Sequence, residues 1–425
     1  MSLQDIHNPL ATAVLGISHV WPAGPKEASQ VVQSDMIRGT YNYVDAFSVL
    51  CALSPGCATA AAVIEHRERD SRLHICTRPS APPQLRSMML ECLSHVKELR
   101  FKALSPPAAD STVGQRSDTA EAHDLLTTIY GTCWEKYLDH IKEEGLELLE
   151  DMGSDPGTEN IELLITSLKI VLRTDRTPDT GETDEDLLEL HNAAKVLASN
   201  AEVLTKYGCS TQLASRLQSL PDAAEELLKF SSSQEKLPSD VVWVVPCDPQ
   251  PESVSADIKT ITRLLQSSNL PDIPDNFPDI ANAARLPLQQ SQTTPHNSPL
   301  TFTTHCASFL LQYVSQNGLV IDPYIGCPWG TCYCCIMLID VYNKSQPQNM
   351  RPYAISRFSC DFDSAWGYPS LGSEINENLK GKFLKTLTKL SKYRAAQRNK
   401  NKPIGGIFAD KVSAETAVIS IVEAY

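Results

Sequence analysis

The sequence predicts an α/β fold, and three observations carry that prediction. An apolar stretch of helical period at 34–53 is followed by two short strand-like runs, 58–66 and 73–77. Amphipathic stretches of helical period then occupy most of 81–268. A last region, 301–425, again mixes strand-like runs with helices.

Residues 1–33 read as an irregular lead-in. Ser34 and Asp35 cap the first helix, and Ser54-Pro55-Gly56 stops it. The charged link between the two strand-like runs makes them a hairpin. Within 81–268, Met88, Met89, Leu93 and Val96 fall at helical spacing, as do Leu125, Ile129, Trp134, Tyr137 and Ile141. These stripes read as bundle core rather than a cofactor box. The acidic residues Glu143, Glu144, Glu147 and Glu150 read as a solvated helix face. The β-branched run 241–246 predicts a strand, and 252–268 one more helix. Residues 269–300 are dense in Pro, Ser and Gln and read as a linker.

The segment from 303 to 340 carries the chemistry. His305 opens an apolar-periodic stretch through Phe309, Leu310, Tyr313 and Val314, which places it at a helix start. A strand-like run follows at 319–325. Cys332 and Cys335 then form a C-x-x-C at the start of a second apolar helix. One imidazole and two thiolates from neighbouring helix starts suit a three-ligand zinc site with an open fourth position. Helix starts lower thiolate pKa values, and a zinc ion acidifies a bound water. Buried cysteines in a core helix are the plain alternative.

His305, a strand, then Cys332-x-x-Cys335 on the next helix resembles the zinc-dependent cytidine deaminase-like superfamily. More narrowly, HCASFLLQYV followed by PYIGCPWGTCYCC is similar to a fungal branch of it. The resemblance covers the C-terminal two-fifths well, and Cys327 matches the cysteine of the YIGC piece. It implies a three-layer α/β sandwich in which 34–80 joins 301–425 and 81–268 is a large helical insertion. It also implies that His305, Cys332 and Cys335 bind zinc, and that a cytosine base, or another nucleobase, is deaminated hydrolytically. The superfamily's signature is H-x-E, and its Glu moves protons. Here Ala307 holds that place, and no Glu follows until Glu374. Ser308, one residue on, is a poor general base by itself. The chain is therefore expected to be an inactive or weakened form. The alternative is a silent nucleic-acid- or protein-binding module with structural zinc.

The formal net charge of −14 over 425 residues argues against a surface that binds polyanions everywhere. One segment, 376–402, departs from it. Lys382, Lys385, Lys389 and Lys392 share a helical face, joined by Arg394 and Arg398. That face is the argument for a nucleic acid over a free nucleoside, and DNA is expected before RNA. Trp366 and Tyr368 are candidate stacking partners for a base, with loop packing the plainer role. No apolar run is long enough to span a bilayer, and the first residues lack a secretory signal pattern. Thirteen scattered cysteines suit reduced thiols, so the expected compartment is intracellular, cytoplasmic or nuclear, with no membrane partner.

Overall fold

The structure is a computed structural model that describes residues 35–68, 70–104, 120–153, 159–172, 184–233, 235–246, 303–328, 331–347, 352–355, 366–367, 369, 371–379 and 381–382. The elements run α1 (Asp35–Leu53), β1 (Thr59–His66), β2 (Ser71–Arg78), α2 (Pro83–Leu104), α3 (Ala120–Gly153) and α4 (Glu159–Leu172). Then come α5 (Asp184–Ser199), α6 (Ala201–Thr205), α7 (Thr211–Ser232) and β3 (Asp240–Val244). The last group is β4 (Thr303–Thr304), α8 (Cys306–Asn317), β5 (Tyr324–Ile325), α9 (Tyr333–Ser345), β6 (Ala354–Ile355) and β7 (Trp366–Gly367). The described chain is mixed α/β, mostly helical, with a small mixed sheet. It falls into two compact units: one from 34 to 246 together with 319–329, the other holding the described residues of 303–318 and 331–382.

In the first unit α1 is the centre. Val44, Phe47, Leu50, Cys51 and Leu53 are all buried, on more than one side of the helix. A helix apolar nearly all round must be covered on all sides. Here β1 covers one side, and α3 and α7 cover others. Full burial of each of Phe47, Leu50 and Leu53 contributes about 1.5–3 kcal/mol, an upper estimate. The α1 C-terminus leaves carbonyls unpaired, and Lys136 of α3 answers them, donating to Ala52 O at 2.6 Å and also to Cys57 O. In α3, Leu125, Ile129, Cys133, Tyr137 and Ile141 repeat every four residues and face α2, α4, α5 and α7.

The two expected strands form an antiparallel hairpin, Ala62 opposite Ile75. β3 joins it in parallel on the far side of β2, with Ile75 opposite Trp243. The order is β1-β2-β3. The free edge of β1 does not stay open. The segment 319–328 returns to it antiparallel, through Ala62–Gly326 and Glu65–Ile321 bridges. Pairing an edge strand removes a row of unsatisfied backbone groups. Asp45 of α1 holds the same segment, accepting from the Tyr324 hydroxyl at 2.7 Å and from Cys327 N at 3.0 Å. Tyr324 also stacks on Tyr41. Of the strand expected at 319–325, only Tyr324–Ile325 is continuous. The predicted helix at 252–268, the linker 269–300, the lead-in 1–33 and the closing segment 403–425 lie outside the described residues.

In the second unit α8 packs on α9, and β4 pairs in parallel with β7. α8 ends as its sequence requires, with Gly318 at φ 58° and its N–H on Ser315 O. No described helix is long and apolar enough to cross a membrane.

Candidate metal centre

His305 and Cys332 occupy the same structural position on two different helices. His305 is the N-cap of α8 and Cys332 the N-cap of α9, with φ, ψ of −68°, 147° and −64°, 154°. Their carbonyls accept the first helical bonds, from Phe309 N and Ile336 N. An N-cap side chain normally turns inward to accept from its own helix. Neither does so here. Both side chains are instead spent on each other, and Cys335, on the first turn of α9, joins them.

The three ligand atoms lie within 4.8 Å of one another. His305 Nδ1 is 3.2 Å from Cys332 Sγ and 3.5 Å from Cys335 Sγ, and the two sulfurs are 3.4 Å apart. Tetrahedral bonds of ordinary zinc length would set about 3.5 Å between nitrogen and sulfur and about 3.8 Å between sulfurs. The triangle therefore matches a single metal ion to within a few tenths of an ångström. Among the described residues, this is the group of His, Cys and acidic side chains that could hold a metal ion.

The electrostatics ask for a cation. Burial pushes both thiols well above their ordinary range; Cys334 pushes Cys332 further while Cys335 pulls it partly back, and Cys332 pushes Cys335 further. His305 pulls Cys335 partly back. The expected lowering by helix starts is thus outweighed by burial: Cys332 is 9% exposed and Cys335 1%. A metal ion reverses the balance, because a coordinating thiol is deprotonated by the ion's own charge. The donor set of one imidazole and two thiols suits a borderline-soft divalent ion rather than magnesium or calcium. The buried Thr331 hydroxyl, one residue before Cys332, has no hydrogen-bond partner among the described residues. Buried hydroxyls are normally satisfied by a further group or by water.

Ala307, at the second position of α8, is buried at 6% exposure between His305 and Ser308. Trp366 lies on β7, paired with Thr303 through the backbone. Tyr368, Lys385, Lys389, Lys392, Arg394 and Arg398 lie outside the described residues. Lys382 follows a helical segment at 373–379 and has a partner. It ion-pairs with Asp340 of α9, which Lys344 also reaches at 2.9 Å. Asp340 is buried, and the Lys382 side chain is 20% exposed. A lysine committed to a buried carboxylate holds two elements together. Sequence reasoning missed this pair, which spans forty-two residues with no local pattern to mark it. It also missed what Ser308 does: its hydroxyl donates to Cys335 Sγ at 3.0 Å.

Comparison with protein-family models, with curated proteins and with solved structures found no match.

Proposed function

We propose that this chain is a zinc-dependent nucleobase deaminase by design, taking cytosine in a polynucleotide, with turnover weakened because Ala307 holds the proton-shuttle position. The observation that carries the reading is the His305–Cys332–Cys335 triangle on two adjacent helix starts. The finer fold proposed with it is the three-layer cytidine deaminase-like sandwich. The basic run after Lys382, set against a net charge of −14, supports a nucleic acid over a free nucleoside, and DNA is proposed before RNA. A reducing intracellular compartment, cytoplasmic or nuclear, suits the free thiols of all described cysteines.

In this reading His305, Cys332 and Cys335 hold the ion. Bound there, zinc supplies a Lewis acid that makes water a nucleophile source near neutral pH. The two N-cap backbones fix the ligand spacing, and Cys335 is buried. Ala307 contributes only a methyl group. It can neither take a proton from water nor return one to the departing amine. General acid–base groups contribute about 10²–10⁴-fold, which is the turnover this chain forgoes.

The same alanine favours a second reading, a silent nucleic-acid- or protein-binding module with structural zinc. The substitution Ala307→Glu separates the two. Full-length protein with bound zinc is assayed for ammonia release from cytosine in single-stranded DNA, RNA and cytidine. The deaminase reading expects release at least about 100-fold above the parent chain. A variant that folds and keeps its zinc yet releases no ammonia from any of them leaves the binding module.

A further inference from the structure

Ser308 stands at the third position of α8, where a glutamate or glutamine commonly reaches back to the N-cap. A serine near a helix start also has local options, since its hydroxyl readily bonds to nearby backbone. Its Oγ reaches across to α9 and donates to Cys335 Sγ at 3.0 Å, twenty-seven residues away. Both side chains are sealed: Ser308 is 0% exposed and Cys335 1%. Cys335 Sγ thus gathers three neighbours, with Cys332 Sγ at 3.4 Å and His305 Nδ1 at 3.5 Å completing the set. A hydroxyl donor fixed at 3.0 Å on a buried sulfur restrains where that sulfur sits.

We propose that Ser308 is a positioning residue for the metal: its hydroxyl, donating to Cys335 Sγ, fixes where that sulfur points. The proposal rests on the zinc reading and deepens it. Two consequences follow from the chemistry. The hydroxyl lessens the cost of a buried negative sulfur, so the ion binds more tightly. It also draws electron density from the sulfur, which donates less to the ion and leaves it a stronger Lewis acid. Ser308 touches neither base nor water in this scheme and acts only through Cys335.

The test uses the full chain and two metals, zinc and cobalt(II). Affinity is measured by competition with a chromophoric chelator, and the cobalt-loaded protein gives the energy of its sulfur-to-metal absorption band. Ser308→Thr and Ser308→Val have the same shape and differ in the hydroxyl alone, so any cost of the added methyl is common to both. Ser308→Ala serves as the smaller variant. The valine and alanine variants are expected to bind either metal about 10–100-fold more weakly than their hydroxyl-bearing counterparts. Their cobalt band moves to lower energy, because an unassisted thiolate gives up charge more readily. Threonine restores both. Equal affinity and an unmoved band in threonine and valine overturn the role of Ser308 while leaving the zinc reading intact. A parent chain that takes up neither metal overturns both.

Discussion

Gly326 offers the sharpest test of how the return segment is seated. A Cβ added there would lie 2.7 Å from both the carbonyl carbon and oxygen of Val44, and 2.8 Å from Val44 Cγ1. Two of these three atoms are backbone of a helix buried among its neighbours, so they cannot step aside. The segment must lift instead. Lifting strains the Gly326 N to Ala62 O bond of 2.9 Å and its reciprocal of 3.0 Å, and loosens the Cys327 N bond to Asp45. Overpacking a tight site costs about 1–3 kcal/mol, and each backbone hydrogen bond lost costs about 0.5–1.5 kcal/mol. Restricting the unfolded chain returns only about 0.4–1 kcal/mol. The balance for Gly326→Ala is a loss of about 2–4 kcal/mol. Gly131 in α3 is the control, because its Cβ would meet nothing within 4 Å. Gly131→Ala is expected to stabilise by about 0.5–1 kcal/mol through helix propensity. Urea unfolding followed by circular dichroism reads both. A Gly326→Ala protein within about 0.5 kcal/mol of the parent would refute the close approach, since that is the ordinary range for a neutral substitution.

The same clasp predicts that Asp45→Ala costs about 2–4 kcal/mol in urea unfolding, because it removes the acceptor shared by the Tyr324 hydroxyl and the Cys327 N–H; a loss below about 0.5 kcal/mol would show the two bonds to be idle. Glu225 predicts an acid dependence. The His191 hydrogen bond, helped by Lys195 and opposed by burial, holds its carboxyl down to about 2 from the usual 4.5. A lowered folded-state pKa means stability present above pH 4.5 and lost as pH falls toward 2. Glu225→Gln should therefore lower stability at neutral pH and flatten its decline across that window, and an equally steep acid decline would contradict this. Lys382→Ala is expected to lower stability by about 1 kcal/mol, with Lys344 still on Asp340, and to leave the salt slope of any DNA binding unchanged; a slope reduced by about one would make Lys382 a phosphate contact after all.

Much of this architecture is local and could be read from the chain. α1, the hairpin and the long helices announce themselves through periods of 3.6 and 2, and their observed ends fall close to the expected ones. The returning edge could not be read to its true length. Its continuous strand is only Tyr324–Ile325, and it meets β1 through two isolated bridges, at Ile321 and Gly326, that no local pattern marks. The parallel pairing of β3 with β2 joins residues about 170 apart and has no local signature either. In the site, the grouping of His305, Cys332 and Cys335 at two helix starts was legible, because metal chemistry restricts which residues could serve. The hydroxyl on Cys335 was not, since Ser308 gains its meaning from a second helix. Nor was the weight of burial on the thiols, which depends on packing that no spacing encodes. Lys382 shows the converse: a basic face suggests phosphate, and a buried carboxylate two elements away claims its first lysine.

Elemental analysis of the purified full-length protein, beside His305→Ala and Cys335→Ala, tests the metal centre most directly. The triangle predicts about one zinc ion per parent chain and little or none in either variant. Parent protein carrying no zinc after expression and refolding in its presence, or variants that retain it in full, would contradict the account.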